Sequence, residues 1–223
     1  ERSEVKYDWA KYSWIGATAT THELLYVRAD TGHKTLDDVI KAATPPLCGS
    51  IGVGTTGSFI PRLLQELFGG RFKIVEGYPG GVESDWAVAR NEVNCRATSI
   101  MTYLNREPTK GWHEQGFTRV LVQTGLKRPS ALLEVPSIWE LAEIRMLPDG
   151  DRQIMEVILA GGSFGIPFLA PPAIPEEHLR LLREAFMKTM EDLEFRAEVV
   201  RVHSMEVRPV TGHELQDLAR RII

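Results

Sequence analysis

A run of glycine and hydroxyl residues, Gly52–Ser58, leads directly into an amphipathic segment, and this junction constrains the fold of the chain most. Glycine lets the backbone turn tightly and approach a ligand closely. The first turn of a helix carries N–H groups without intrahelical partners, and with the helix dipole they favour a negative charge. The hydroxyl groups of Thr55, Thr56 and Ser58 add donors. The sequence therefore predicts an anion-binding site here, although a plain strand-to-helix turn would use the same small residues.

The same glycines allow a second interpretation. Gly52, Gly54 and Gly57 spell the G-x-G-x-x-G pattern, and a short strand then ends at Glu76, close to where dinucleotide-binding folds place a ribose-binding acid. The segment before the glycines is a poor strand, because Pro45–Ile51 has few β-branched residues and no continuous apolar run. A nicotinamide-dinucleotide-binding enzyme stays open as the alternative, although no recognisable acid or base for hydride transfer occurs elsewhere.

Composition bounds the remaining classes of function. The chain has 223 residues, 43% of them hydrophobic, and a net charge of −4, which suits one large or two small globular domains. It has no basic block for nucleic acid and no apolar run of membrane-spanning length. No signal peptide opens the chain at Glu1, which is compatible with a cytoplasmic protein, a mature exported protein or a fragment.

Cysteine and histidine give no metal-binding pattern. Cys48 and Cys95 are not at the spacing of metal ligands, and the six histidines are scattered, so we expect no metal. Parallel neighbouring strands near Ile51 and Arg96 would bring the two cysteines together. Free buried thiols are nevertheless the favoured expectation.

Strands and helices alternate through the middle of the chain. The predicted strands lie near residues 24–28, 50–53, 72–75, 93–97 and 120–123, with helices in most of the intervals. This alternation is typical of a parallel, doubly wound α/β sheet.

Local signals mark several helix boundaries. Thr35 is the predicted N-cap of a helix with Asp38 in its first turn, and Thr211 with Glu214 forms a capping box for the terminal helix. The pair Gly161–Gly162 is expected to end the helix that precedes it.

Four further residues are candidates for contact with a ligand. The turn containing Tyr78 and Gly80 places small residues before a second helix, so it is either a second anion-facing helix terminus or a tight turn. Asn94 and Ser99 flank a predicted strand, and both side chains are polar enough to reach a ligand or simply to face solvent.

These motifs, taken in order, resemble a known family. Trp14-Ile15-Gly16, the glycine loop, Tyr78-Pro79-Gly80-Gly81 and the proline-rich run Pro167–Pro175 are similar to segments of the extracytoplasmic solute receptors of tripartite tricarboxylate transporters, the Bug or TctC family. The resemblance covers essentially the whole chain. The proline-rich run and the W-I-G start are its most specific marks.

The resemblance implies a type II periplasmic-binding-protein fold, in which two α/β lobes close on a small mono- or dicarboxylate. It implies a periplasmic receptor without catalysis or cofactor, whose partners are the membrane components of the transporter. The resemblance implies that the glycine loop holds the ligand carboxylate, through Gly54, Thr55, Thr56, Gly57 and Ser58. Tyr78 and Gly80 would lie nearby.

The chain also departs from the family pattern. Asn94 stands where the family usually has an acid, and Ile166 stands where arginine is common. The first strand of the family and its first glycine-rich loop have no counterpart, so the first lobe is expected to be incomplete, through truncation or natural shortening. A truncated receptor that binds no ligand therefore stays open as a further alternative.

These departures lead to an expected domain organisation. Residues 29–160 would form a complete α/β lobe, and residues 1–28 with 161–223 would form the remainder of the other. The expected crossover strands are Leu24–Arg28 and Ile166–Ala170. Unpaired strand edges would favour a homo-oligomer through the incomplete lobe, by exchange of the segment around Trp9 and Trp14.

Overall fold

The computed structural model describes residue 8 and residues 11–203 and 207–222, so Trp9 lies outside the described residues. The chain divides into a larger unit, His22–Leu159, and a smaller unit made from the described parts of Glu1–Thr21 and Ala160–Ile223. The sequence places the first boundary after Arg28 instead. The strand before Arg28 belongs to the larger unit because it pairs on both sides with strands of that unit.

The elements are numbered in chain order within the described residues. The strands are β1 (Ser13–Ala17), β2 (Glu23–Arg28), β3 (Leu47–Gly49), β4 (Lys73–Val75), β5 (Cys95–Ser99), β6 (Thr118–Gln123), β7 (Pro167–Ala170) and β8 (Val210–Thr211). The helices are α1 (Leu36–Lys41), α2 (Thr56–Phe68), α3 (Gly81–Ala89), α4 (Ile100–Asn105), α5 (Thr109–Glu114), α6 (Ile138–Ile144), α7 (Asp149–Phe164), α8 (Glu176–Glu191), α9 (Leu193–His203) and α10 (Gly212–Ile222).

The larger unit contains a five-stranded sheet with the order β4-β3-β5-β2-β6. Strands β4, β3 and β5 pair in parallel, as the alternation of strands and helices predicts. Strand β2 runs antiparallel to both of its neighbours, with Glu23 opposite Ser99 and Leu24 opposite Gln123. The prediction of a wholly parallel sheet is therefore wrong at β2, because a buried apolar run reads the same in either direction.

Apolar side chains cover both faces of this sheet. Leu25 and Val27 of β2 face the cluster built with α1, α2 and α7, whereas Leu24 and Tyr26 face the cluster built with α3, α4 and α5. Alternate residues of a strand point to opposite faces, so a fully buried strand carries apolar residues at every position. This arrangement fixes β2 in the interior of the sheet.

Two element boundaries differ from the sequence predictions because distant contacts set them. Strand β3 ends at Gly49, whereas the sequence places it at residues 50–53, so the whole segment from Ser50 to Thr55 is a loop. Helix α7 continues through the pair Gly161–Gly162, which was expected to break it, and ends at Phe164. The next residue, Gly165, has a left-handed φ of +62°. A glycine costs a helix only about 1 kcal/mol relative to alanine, and packing can override that amount.

A disulfide joins Cys48 of β3 to Cys95 of β5. The two residues are directly opposite in the parallel ladder, and both are buried. The expectation of free thiols is therefore wrong. The pairing register, which composition does not reveal, brings the two sulfur atoms together.

The smaller unit contains a three-stranded antiparallel sheet with the order β7-β1-β8. The indole of Trp14 in β1 is buried and stacks on Phe164 at a centroid distance of 4.9 Å. On α8, Met190 is buried, whereas Leu182 is 43% exposed.

Among the described helices none is both long and apolar enough to cross a membrane, and the described side chains form no cluster suited to a metal ion.

Candidate functional site

The glycine loop lies between the carboxyl end of β3 and the start of α2. Thr55 is the N-cap of α2, but its side chain does not cap the helix; its hydroxyl instead donates to the carbonyl of Gly52 at 2.7 Å. Gly54 has a φ of +81°, which an L-residue rarely adopts. A Cβ atom at Gly57 would lie 2.9 Å from the carbonyl oxygen of Gly49, so only glycine lets the helix start so close to the strand.

A second helix begins beside the first. Helix α3 follows β4, and its N-cap is Gly80, which has no side chain to cap the first turn. The N–H of Tyr78 donates to the carbonyl of Ser50 at 3.3 Å and so ties the turn after β4 to the glycine loop. The edge where parallel strands end therefore presents two helix N-termini without side-chain caps, which is a favourable arrangement for an anion.

A cavity of about 140 Å³ opens between these helix starts. Its lining is formed by the loop, the two helices and strand β5, and the residues are Gly49, Ser50, Ile51, Thr55, Thr56, Gly57, Ser84, Arg96, Ala97 and Thr98. Of these described residues, Arg96 alone carries a charge and five have hydroxyl groups, of which those of Thr55 and Ser84 already donate to the carbonyls of Gly52 and Gly80. The cavity therefore favours a small anionic group over a cation.

Arg96 was not predicted from the sequence, and it is the central cation of the site. Its side chain is 9% exposed, and its guanidinium forms an ion pair with Asp85 of α3. The Tyr26 hydroxyl donates to the same carboxylate at 2.8 Å. Burial alone would lower the pKa of Arg96, but Tyr26 and Asp85 raise it, so the guanidinium stays charged. A single charged residue within a short strand was the available sequence signal.

A second cavity of about 190 Å³ shares Arg96 and Thr98 with the first and lies at the start of α3. Acidic and basic groups both line it, including Glu107 and Arg106. The guanidinium of Arg96 packs closely on Gly81, since a Cβ atom there would lie 2.7 Å from Nη2. Arg96 therefore lines both cavities: the first has no acidic residue in its lining, and the second has both acidic and basic residues.

Hydrogen bonds within the protein already engage the side chains of four predicted ligand contacts, which are Thr55, Ser58, Asn94 and Ser99. Ser58 is buried; its hydroxyl donates to Glu76 at 3.0 Å and accepts from the Nε of Arg62 at 3.2 Å. The same contacts occupy Glu76, the acid of the dinucleotide alternative. Asn94 precedes β5 and accepts the N–H of Leu47 at 2.9 Å, which places it at the strand edge opposite the glycine loop.

The other predicted residues lie at the loop edge of the sheet. Thr55, Thr56 and Gly57 line the small cavity, and Gly54 shapes the loop before them. Ser99 ends β5 and caps α4, where its hydroxyl accepts the N–H of Thr102 at 3.1 Å.

Glu23 is a further titratable group at this edge that sequence analysis missed. It is the first residue of β2, and its Oε2 is buried without a hydrogen-bond partner among the described residues. Burial raises the pKa of its carboxyl to about 7, and a hydrogen bond from the Thr56 hydroxyl moderates this shift. A carboxyl group with a pKa near neutral therefore lies at the edge of the sheet where β5 ends, opposite Ser99.

Comparison with known proteins gives structural matches only. No protein-family model matches the chain, and no curated protein does. A TctC solute-binding protein from Polaromonas, solved without ligand, matches with a TM-score of 0.71 and 17% identity, over 98% of this chain and 68% of that one.

Two solved proteins with bound ligands match as well. An R. palustris protein solved with adipate has a TM-score of 0.64 and 18% identity, over 99% of this chain and 68% of the other. MatC from Rhodopseudomonas palustris, solved with malate, has a TM-score of 0.63 and 16% identity, over 100% of this chain and 71% of the other. The predicted α/β fold of the type II periplasmic binding proteins is thereby confirmed, and the chain has the fold of TctC-type solute-binding proteins.

Proposed function

We propose that the protein is a solute-binding receptor for a small organic carboxylate and has no catalytic activity of its own. The observation that carries this proposal is the small cavity where the uncapped starts of α2 and α3 meet the buried cation Arg96. The fold supports it, since proteins of the same fold were solved with adipate and malate.

The proposed ligand carboxylate lies against the first turn of α2. The N–H groups of Thr56 and Gly57 and the nearby hydroxyls donate to it, and Arg96 supplies the positive charge. Hydrogen bonds to a charged group contribute roughly 1.5–3 kcal/mol each, so a few of them suffice for a specific receptor. Asp85 holds the guanidinium in place, which makes Arg96 a fixed charge.

The cellular setting is part of the same proposal. A buried disulfide favours an oxidising compartment, which agrees with an extracytoplasmic receptor that delivers its ligand to the membrane components of a tripartite tricarboxylate-type transporter. Exposed apolar side chains on the smaller unit, including Leu169 and Leu182, favour a homo-oligomer through that unit.

A thermal-shift screen tests the proposed ligand class. Mono- and dicarboxylates, including malate and adipate, are expected to raise the melting temperature, because a ligand that binds only the folded state stabilises it. Gly57→Val should abolish the shift, since its side chain would meet the backbone of Gly49. Gly52→Ala is the matched control, because a Cβ at Gly52 meets nothing within 4 Å.

The screen also distinguishes the alternative function. Stabilisation by nicotinamide dinucleotides and by no carboxylate would overturn the proposal in favour of a dinucleotide-binding enzyme. A carboxylate shift that Gly57→Val leaves intact would place the ligand away from the glycine loop.

A further inference from the structure

The small cavity has two walls that come from different strands. One wall is the glycine loop with the first turn of α2, which follows Gly49 at the end of β3. The other wall is strand β5, from Arg96 to Thr98. The space between these walls, where the proposed ligand carboxylate lies, is therefore set by how β3 is joined to β5.

The β5 wall is held firmly from its other side. Strand β5 is an interior strand and pairs with β2 along its whole length, from Cys95 opposite Val27 to Ser99 opposite Glu23. The guanidinium of Arg96 is also fixed by its ion pair on α3. These contacts do not involve β3, so they hold the cation in place independently of the glycine loop.

The glycine-loop wall has weaker support. Strand β3 is three residues long, and its other neighbour, β4, is the edge strand of the sheet. It pairs with β5 at Cys48 and Gly49, and two hydrogen bonds of 2.9 Å join Leu47 to Asn94. Short strands near the edge of a sheet open more readily than interior ones, so this wall is the one that can move.

The disulfide joins the two walls at the base of the cavity. Cys48 and Cys95 are directly opposite in the ladder. The next pair of the ladder, Gly49 and Arg96, lines the cavity. A Cβ atom at Gly57 would lie 2.9 Å from the carbonyl oxygen of Gly49, so the start of α2 packs directly on the strand. A shift of Cys48 therefore reaches the first turn of α2 through Gly49.

We propose that the disulfide holds the glycine loop at binding distance from Arg96, so that its oxidation state sets the affinity of the site for a carboxylate. This inference rests on the proposed function. Cys48 and Cys95 are positioning residues, because they are buried and line neither cavity. With the bond intact, the donors of α2 and the cation are already in place, and a preorganised site binds more tightly because less ordering accompanies binding.

Reduction removes this restraint. A dithiol such as dithiothreitol transfers two electrons and two protons to the disulfide, which gives two cysteine thiols while the dithiol becomes a cyclic disulfide. Strand β3 is then joined to β5 by non-covalent contacts alone. We expect the affinity to fall about threefold to tenfold, which corresponds to the cost of ordering one or two groups on binding.

The coupling must also act in the opposite direction. If the oxidised protein binds a ligand more tightly than the reduced protein by some factor, the ligand must favour the disulfide over the two thiols by the same factor. A bond that only stabilises the fold would not show this reciprocity while both forms stay folded. The effect of the ligand on the disulfide therefore separates a positioning role from a purely structural one.

Isothermal titration calorimetry with malate and adipate as probes measures the affinity of the oxidised and the reduced protein. The titrations are carried out at low temperature in sucrose, which favours the folded state, and circular dichroism reports whether both forms are folded. Equilibration in mixtures of reduced and oxidised dithiothreitol, with and without saturating probe, measures the ratio of disulfide to thiols. The reduced protein should bind about threefold to tenfold more weakly, and the probe should raise this ratio by the matching factor.

Two variants complete the test. Cys48→Ala with Cys95→Ala removes the bond without a reductant, and it should bind as weakly as the reduced protein. Leu132→Ala is the control, because Leu132 is fully buried in the cluster on the α3 face of the sheet and lines neither cavity. Its truncation lowers stability and should leave the affinity unchanged.

The outcomes separate this inference from the proposed function. Equal affinity of the oxidised and reduced protein, or a disulfide ratio that the probe does not change, would overturn the positioning role and leave the receptor intact. A reduced protein that does not fold would also overturn it, because the bond would then be required for folding rather than for the site. The same holds if Leu132→Ala weakens binding as much as reduction does. If neither probe binds the oxidised wild type, the proposed function fails for these acids and the inference fails with it.

Discussion

The disulfide between Cys48 and Cys95 should make a large contribution to the stability of the larger unit. The two residues are 47 positions apart in the sequence. Cross-linking a loop of that length removes chain entropy from the unfolded state and is worth about 4 kcal/mol in the entropic model. Domains typically unfold at a cost of only about 5–15 kcal/mol, so the loss of this bond should be prominent.

Urea unfolding of the oxidised and reduced protein measures this contribution. The reduced protein keeps both sulfur atoms, so the comparison isolates the bond, whereas Cys48→Ala with Cys95→Ala also changes the packing of two buried side chains. We expect the free energy of unfolding to fall by about 4 kcal/mol on reduction. The dependence on urea should become steeper, because the unfolded chain without its cross-link exposes more surface.

A small difference would refute this reasoning. If reduction changes the free energy of unfolding by less than about 1 kcal/mol, the loop between the two strands is already restricted in the unfolded state, and the entropic estimate does not apply. Thiol titration in denaturant without reductant provides the control. Two reactive thiols in the purified protein would show that the bond had not formed.

Three further predictions concern the buried charges and the glycine loop. The folded-state pKa of Glu23 is about 7 against an ordinary value of 4.5, so the stability that Glu23 contributes is complete below about pH 4.5 and declines by roughly 3 kcal/mol as pH rises to about 7. In chemical unfolding, Glu23→Gln should lack this decline, and its free energy of unfolding should exceed that of the wild type only at the higher pH. Asp85→Ala should lower the free energy of unfolding by about 3–5 kcal/mol, because it leaves Arg96 buried without its partner. The double variant Asp85→Leu with Arg96→Met should restore most of this stability in the same assay, and it should still lose carboxylate binding. Gly57→Val should cost several times more stability than Gly52→Ala in parallel thermal unfolding, because only Gly57 is packed against backbone.

Local signals in the sequence were sufficient to predict several helix starts. The capping box of Thr35 and Asp38 is present at α1. At α10 the N–H of Thr211 donates to the Glu214 carboxylate at 2.8 Å, and the Glu214 N–H donates to the Thr211 hydroxyl at 3.3 Å. Such features are predictable because both partners lie within one turn of chain.

Features that depend on distant contacts were not predictable from local patterns. The direction of β2, the register that joins Cys48 to Cys95 and the continuation of α7 through Gly161–Gly162 all depend on residues far away in the sequence. A short apolar run carries no information about which neighbour it will pair with or in which direction.

The candidate site shows the same division. The glycine loop was found because close backbone packing requires small residues, and Gly57 illustrates this requirement. Arg96 and Glu23 were missed because single charged residues in strands become informative only when the sheet shows what they face. Ser58 and Asn94 were attractive as polar residues near strand ends, but contacts within the protein already use their side chains.

The interior position of β2 has a consequence for the order of folding. This strand leaves the ribosome before both of its partners, which end at Ser99 and Gln123. Until β6 has been synthesised, the apolar segment from Leu24 to Val27 has an open edge and an uncovered face, the state in which nascent chains associate wrongly or require a chaperone. The sheet is complete only when β2 has paired with β6, and the paired residues are about a hundred positions apart in the sequence. Such long-range pairing predicts slow folding for a unit of this size.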